Sequence, residues 1–394
     1  MTQYHSFDRK INRTGSDCIK YDRIQKEFGT REIIPMWVAD MDFATPDFIL
    51  DAIRKRCELE ILGYSNIPEG WFSAIQNWLL KRYHWGVSAK EIGFLPGIVS
   101  GIAFVIQCFT EPGDKILIQT PVYPPFIHLP VENGRQLLVN TLKYENGQLQ
   151  IDFDDFEAKA ASGCKLFILC SPHNPGGRIW TKSELQQMAD ICKRYGILIV
   201  SDEIHADLAL PGQIHHPIGT VSPEMNGQVI TLMAPSKTFN IPGLGSSFYI
   251  IQDYDLRHKF RHFLDSAELS NGNIFAFLAA QAAFEKGEEW LSQLTDYLLK
   301  NTAYVDSFLK QHIPPIKACI PQASFLIWLD CRELSLSTDE LQKFFIHKAK
   351  LGLNAGHTFG PGGEGFMRLN IGCPRETLCQ AMAQLKTAVD ELLF

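Results

Sequence analysis

The sequence predicts an α/β protein: a large, doubly wound, mostly parallel sheet followed by a smaller α+β unit. Three observations predict it. Strand-length apolar runs (Lys115–Gln119, Leu166–Cys170, Ile197–Val200, Val229–Met233) alternate with helix-period segments, the pattern of strand–helix–strand units. Several of these runs break directly into polar or Pro/Gly-containing turns, as strands do where they leave a sheet. At 394 residues the chain has length for about two domains, and past Phe275 its character turns helical.

The strand ends carry the chemistry. Leu166–Cys170 leads into Ser171-Pro172-His173-Asn174-Pro175-Gly176-Gly177, and Ile197–Val200 into Ser201-Asp202-Glu203-Ile204-His205. Val229–Met233 leads into Ala234-Pro235-Ser236-Lys237-Thr238-Phe239-Asn240. An amide, a carboxylate and an amine thus reach the ends of successive strands, where open α/β sheets hold ligands. A lone lysine is usually a solvated charge, but Lys237 keeps company that pyridoxal phosphate (PLP) requires. The set is an amine for the aldehyde, an acid for the pyridine nitrogen and a donor for the ring hydroxyl.

Asn174-Pro175, Asp202 and Ser236-Lys237 resemble the signature of the fold-type I, aspartate-aminotransferase-like PLP enzymes. The strings SPHNPGGR, SDEIHADL and SKTFNIPGL resemble its cystathionine β-lyase or C–S lyase branch, and the similarity runs over nearly the whole chain. The resemblance implies an N-terminal arm with part of the small domain (1–48), a large PLP-binding domain (49–285) and a small C-terminal domain (286–394). It implies Lys237 as the residue that carries the cofactor and then acts as general base. Asp202 is implied against the pyridine nitrogen, Asn174 on the ring hydroxyl and Ser236 on the phosphate.

Taken in order, residues 1–34 are polar and irregular and predict an arm packed on something else, a dimer partner being one option. Met36 to Phe43 reads either as a core-edge strand or, by resemblance, as the substrate-pocket wall at Val38 and Ala39, with Trp37 close by. Thr45-Pro46 opens a helix predicted to run from Asp47 to about Leu62 and to stop at Gly63. Tyr64 follows in a loop; the resemblance implies that it reaches the other subunit's cofactor phosphate. Glu69 to Tyr83 is amphipathic, with Trp71, Phe72, Ile75, Trp78 and Leu79 on its buried side.

Phe94-Leu95 breaks at Pro96-Gly97 into an apolar helix whose start offers unpaired N–H groups to an anion. By resemblance the amides of Ile98 and Val99 bind the cofactor phosphate. Tyr123 follows the next strand end, and by resemblance its ring stacks on the pyridine and it belongs with Lys237 and Asp202 among the catalytic groups. Residues 135–162 read as scaffold: a strand, a turn at Asn146-Gly147 and a helix to Ala161. Helices are predicted over Lys182–Tyr195, Phe275–Lys286 and Glu288–Gln311, the last long enough to bridge two domains. Strands at Ser324–Asp330 and Phe366–Ile371, with a helix near Thr338–Lys350, make the small unit.

Arg368 is isolated inside an apolar strand, so its charge must be paired. The partner is a structural carboxylate or a substrate α-carboxylate gripped by the planar guanidinium. The resemblance of Arg-Leu-Asn-Ile to the family's carboxylate-binding arginine favours the substrate, with Asn174 beside it.

A net charge of −7 argues against nucleic acid as partner. No apolar run approaches the ~18 residues of a membrane span, and nothing at the start reads as a secretion signal. The ten cysteines lack metal or CxxC spacing and predict buried free thiols, so the cytoplasm is the expected compartment. Gly360 to Gly365 fits GxGxxG but precedes a strand, so it is no dinucleotide site. His258 and His262 share a helix face without the Glu of a zinc protease, and no metal is expected.

Two departures from the aminotransferase pattern bear on reaction type. His205 stands where many aminotransferases place a tyrosine among the cofactor contacts, and Ile241 to Gly245 lacks their phosphate-binding arginine. The resemblance implies a homodimeric PLP-dependent C–S β-lyase acting on cystathionine or related cysteine S-conjugates. An aminotransferase on the same scaffold is the alternative.

Overall fold

The computed structural model describes residues 5–221 and 223–393, so residues 1–4 of the expected arm lie outside the described residues. Its central sheet contains β1 (Ile92–Leu95), β2 (Lys115–Thr120), β3 (Gln136–Thr141) and β4 (Cys164–Cys170). It continues with β5 (Leu198–Asp202), β6 (Val229–Met233) and β7 (Ser247–Ile250). The spatial order is β1-β7-β6-β5-β4-β2-β3. Only β7 runs against its neighbours; the other pairings are parallel. Helices cover both faces, so the inner strands are buried on both sides and read as continuous apolar runs.

The topology fixes where a ligand can sit. From β2 the chain steps outward to β3, then returns past β2 to β4, and the remaining strands extend the other way. The crevice of such a sheet lies beyond the carboxyl ends of the strands flanking that reversal, β2 and β4. Tyr123 follows β2 and Asn174 follows β4, and the Tyr123 N–H donates to the Asn174 carbonyl at 3.1 Å. Register places Cys170 beside Asp202 and Asp202 beside Leu232, so three strands deliver their motifs at one level.

The smaller unit is a four-stranded antiparallel sheet of β8 (Lys317–Cys319), β9 (Leu326–Asp330), β10 (Asn354–Ala355) and β11 (Phe366–Asn370), in the order β8-β9-β11-β10. The 25-residue helix Glu288–His312 spans about 37 Å at 1.5 Å per residue. Its start packs Trp290 against Phe7 and Phe239, and its far half buries Val305 and Leu309 in the same core as the small sheet. Ile34–Pro35 pairs in parallel with Leu351–Gly352, joining the N-terminal segment to this unit.

Glu69–Tyr83, Lys182–Tyr195 and Val229–Met233 are found at their predicted bounds, and the capping box at Thr181 and Glu184 explains the sharp start of the second. Elsewhere the structure corrects the sequence. The helix predicted to Leu62 ends at Cys57, because Leu59, Ile61 and Leu62 find nothing in this chain to pack on and stay exposed. The segment Met36 to Phe43 is no strand. The helix expected over Thr338–Lys350 stops at Lys343 and widens into a π turn over Phe344–Lys348. The arm contains short helices, Ile19–Asp22 and Ile24–Phe28. All ten cysteines are free, but six are buried rather than all. The glycine-rich 360–365 segment is a tight loop whose Gly363 backbone sits so close to Gly356 that a Cβ on Gly356 would meet the Gly363 oxygen at 2.0 Å.

Candidate active site

The polar residues at the sheet's carboxyl edge converge. Lys237 lies in the one-turn helix Pro235–Thr238, started by Pro235 where a missing N–H costs nothing. Its amine donates to the Ala39 carbonyl at 2.6 Å. Burial lowers its pKa to about 8; the Asp40 charge opposes the fall, Arg368 adds to it and Asp202 opposes it. A lysine so placed is a free base in appreciable fraction near neutrality, as nucleophilic and base-acting lysines require.

Asp202 ends β5 and is buried. Burial pushes its carboxyl up to about 7, against the Ile204 N–H, which it accepts at 3.0 Å, and the Lys237 charge; Glu203 adds to the rise. With no hydrogen-bonded cation among the described residues, the carboxylate lacks the partner that would keep it ionised. His205, also buried, is pushed down to about 3 by burial and by Lys237 and Arg368, so it stays neutral. Its Nδ1 lies 3.1 Å from the Ser324 hydroxyl on the segment entering β9.

Arg368 is the most informative side chain. It is 4% exposed, and among the described residues no carboxylate pairs with it. It donates to Asn174 Oδ1 at 3.0 Å, the Trp37 carbonyl at 2.8 Å and Asn354 Oδ1 at 2.7 Å, and lies over the Phe359 ring at 5.0 Å. Its Nε finds no partner. Burial accordingly lowers its pKa to about 10, with Tyr123 opposing. Of the two partners the sequence left open, no described residue supplies the structural carboxylate, and a buried cation costs several kcal/mol when no counter-ion accompanies it. A planar anion presented to Nε and the adjacent nitrogens would complete the site.

The remaining predicted residues fall around this centre, with one exception. Tyr123 is half-buried, and burial raises its hydroxyl pKa. Ser236 is buried in the Lys237 turn. Ile98 and Val99 open the twelve-residue helix Ile98–Phe109 after Gly97, their N–H groups outside the intrahelical ladder. Val38 and Ala39 border a cavity of about 620 Å³ beside Lys237, with Arg13, Asp40 and Asn240 also on its wall. Tyr64 does not join the site within this chain; its side chain is fully exposed in the irregular stretch after helix Asp47–Cys57.

Sequence reasoning missed the residues that hold these groups. Asn240 receives the Met41 N–H and donates to the Met41 and Phe43 carbonyls, fixing the 38–43 segment over Lys237. Asn370 donates to the Val38 and Asp40 carbonyls. Buried Asp207 accepts from Trp78, Tyr83 and Thr238 and so braces the Lys237 turn. Asn240 and Asp207 lie inside the motif strings, which gave a signal without a role; nothing in the sequence marks Asn354.

The family model for aminotransferase class I and II matches residues 40–385. Cystathionine beta-lyase PatB of Bacillus subtilis is 42% identical over 385 residues, 98% of this chain and 100% of that protein. The PLP-bound C–S lyase from Staphylococcus hominis superposes with a TM-score of 0.92 at 34% identity, covering 99% of this chain and all of the other. Cystalysin from Treponema denticola, which contains pyridoxal 5′-phosphate, gives 0.96 at 31% identity over 99% of this chain and all of the other. With the converging strand ends, the uncompensated Arg368 and matches spanning nearly the full length, this chain belongs to the aminotransferase class I and II family.

Proposed function

We propose that this protein is a PLP-dependent C–S β-lyase that cleaves cystathionine or other cysteine S-conjugates to a thiol, pyruvate and ammonia. The observation that carries the site is a half-buried lysine and a buried carboxylate without a hydrogen-bonded cation at adjacent strand ends, with a buried arginine that lacks an anion. These residues fit the cofactor. Lys237 would hold its aldehyde carbon, Asp202 its pyridine nitrogen, Asn174 its ring hydroxyl, and Ser236 with the Ile98 and Val99 amides its phosphate. Tyr123 would lie on the ring, and His205 would flank it. When bound, PLP supplies an electron sink for the pair released at the substrate Cα.

The chain's own groups do the rest. Arg368 grips the α-carboxylate with Asn174 and the Val38–Ala39 wall alongside, which aims the Cα–H at Lys237. Lys237 Nζ takes that proton, a role its lowered pKa suits at neutral pH. A thiolate leaves Cβ, the three-carbon remainder adds water, and pyruvate and ammonia result. Asp202 must stay ionised during this, and a cationic ring nitrogen against it would return its pKa to the carboxylate range.

The lyase reading draws on PatB and the Staphylococcus hominis enzyme, whose names state that chemistry. We place the domain boundaries at 1–48, 49–285 and 286–394, and a homodimer in the cytoplasm as the working form. The test is pyruvate release from cystathionine by the holoenzyme with no keto acid added. Sustained turnover is expected; dependence on a keto acid acceptor would make the protein an aminotransferase instead.

A further inference from the structure

The segment from Trp37 to Phe43 has no regular secondary structure, yet it runs beside the reactive amine. Backbone carbonyls this sheltered need partners, and side chains supply them. Arg368 takes the Trp37 oxygen, Asn370 those of Val38 and Asp40, Lys237 that of Ala39, and Asn240 those of Met41 and Phe43. These clamps all come from the sheet side. The N-terminal arm adds aromatic contacts of Phe28 on Trp37 and Phe7 on Phe43, and holds the middle of the segment through charge.

Arg13 addresses Asp40 with both ends of its fork, NH1 to Oδ1 at 3.0 Å and NH2 to Oδ2 at 2.6 Å. The same NH1 donates to Asp42 Oδ1 at 2.7 Å and to the Met41 carbonyl at 3.2 Å. Lys20, only 1% exposed, donates to Asp42 Oδ2 at 2.8 Å and lies 3.9 Å from Asp40. Two cations from the arm therefore balance two carboxylates on the segment. Burial works against the Arg13 charge, and Asp40 and Asp42 outweigh it, holding its pKa above the usual guanidinium range.

Asp40 follows Ala39 directly, and its charge is the strongest electrostatic support for the Lys237 ammonium form. It is thus shared between an arm cation that can neutralise it and an amine whose basicity it raises. We propose that Arg13 is a positioning residue for Lys237. By pinning and neutralising Asp40 it sets both the place of the Ala39 carbonyl and the acidity of the amine. This rests on Lys237 being the cofactor-bearing amine. Apart from Asp40, the charged or titratable groups that face it are Asp202 and His205 beyond β5 and Arg368 on β11, and the variants below leave those unchanged.

The test uses cofactor-free full-length protein and reads the Lys237 amine directly. Its acylation rate by a small amine reagent is followed against pH, with peptide mapping at position 237. Arg13→Gln leaves Asp40 and Asp42 to share Lys20 alone, so the amine pKa is expected to rise by about half a unit to one unit. Asp40→Asn should shift it the other way, and Arg13→Lys should restore most of the original value. In the holoenzyme, Arg13→Gln should lower kcat about 3- to 10-fold at neutral pH, matching the lost free-base fraction, with KM changed less than kcat. Variants that lower the melting temperature while the amine titrates as before would make the quartet a staple of the arm and overturn the proposal. Absence of any borohydride-trapped PLP on wild-type Lys237 would instead sink the active-site reading itself.

Discussion

Asp202 and Arg368 are both buried without the charge that would justify burying them, and each makes a measurable prediction. For Asp202 the folded pKa, about 7, lies above the usual carboxylate value. Stability from this group is therefore complete below the unfolded pKa and is lost as pH rises through about 7. A shift of about three units, in which the attraction of Lys237 is already included, corresponds to roughly 4 kcal/mol at most. Cofactor-free Asp202→Asn should thus be more stable than wild type at pH 8 and nearly equal only near pH 3, below the unfolded carboxylate pKa, by denaturant midpoint. An Asn variant less stable at pH 8 would mean the carboxylate has a partner in the chain. For Arg368, lysine keeps the charge and loses the fork. Arg368→Lys should raise KM for the amino acid about 10- to 100-fold, read from initial rates and from the Kd of a non-reacting analogue.

At the scale of elements, the four-residue turn bearing Lys237 is too short to hold itself. Helix Glu69–Tyr83 steadies it through Asp207, whose Oδ1 accepts the Trp78 indole at 2.9 Å and the Tyr83 hydroxyl at 2.6 Å, while Oδ2 accepts from Thr238 at 3.2 Å. Arg82 Nε lies 3.3 Å from the same carboxylate, and Phe239, fully buried on Trp78 and Trp290, closes the turn from below. Removing the acid strands donors and a partly buried cation together. Asp207→Ala should cost about 3–5 kcal/mol of stability, measured by chemical denaturation. Thr238→Val, which loses one hydrogen bond at the edge of the network, should cost about 1 kcal/mol.

At the scale of the molecule, the stretch after helix Asp47–Cys57 exposes Leu59, Ile61, Leu62 and Tyr64 together, each more than 60% accessible. Contiguous apolar surface of this kind marks an association site, and it carries the tyrosine expected to serve a second subunit. The holoenzyme should sediment at twice 44.5 kDa. The double variant Ile61→Asp, Leu62→Asp should shift it toward the single-chain mass and weaken PLP retention on dilution. A variant that stays dimeric would move the interface elsewhere.

Much of this is legible in the sequence. Continuous apolar runs and period-3.6 patterning located the parallel strands and most of the helices, though not the antiparallel strand Ser247–Ile250, because burial on a regular element leaves a regular trace in the chain. The strand-end motifs named Lys237, Asp202 and Asn174, because a parallel sheet sends every strand's exit to one edge. Where a residue's role depended on partners far away in sequence, the chain was silent. Asn354 stands in an unremarkable stretch, Asn370 lies in the Arg368 string without a role of its own, and Arg13 reads as one charge in a polar arm. Only the tertiary structure decided that Arg368 meets no carboxylate among the described residues, that Asp40 is shared between Arg13 and Lys237, and that the segment before Asp47 is a laced loop rather than a strand. Sequence pattern records what each residue buries; it does not record which distant charge or carbonyl is brought within hydrogen-bond reach, since that depends on how whole elements pack.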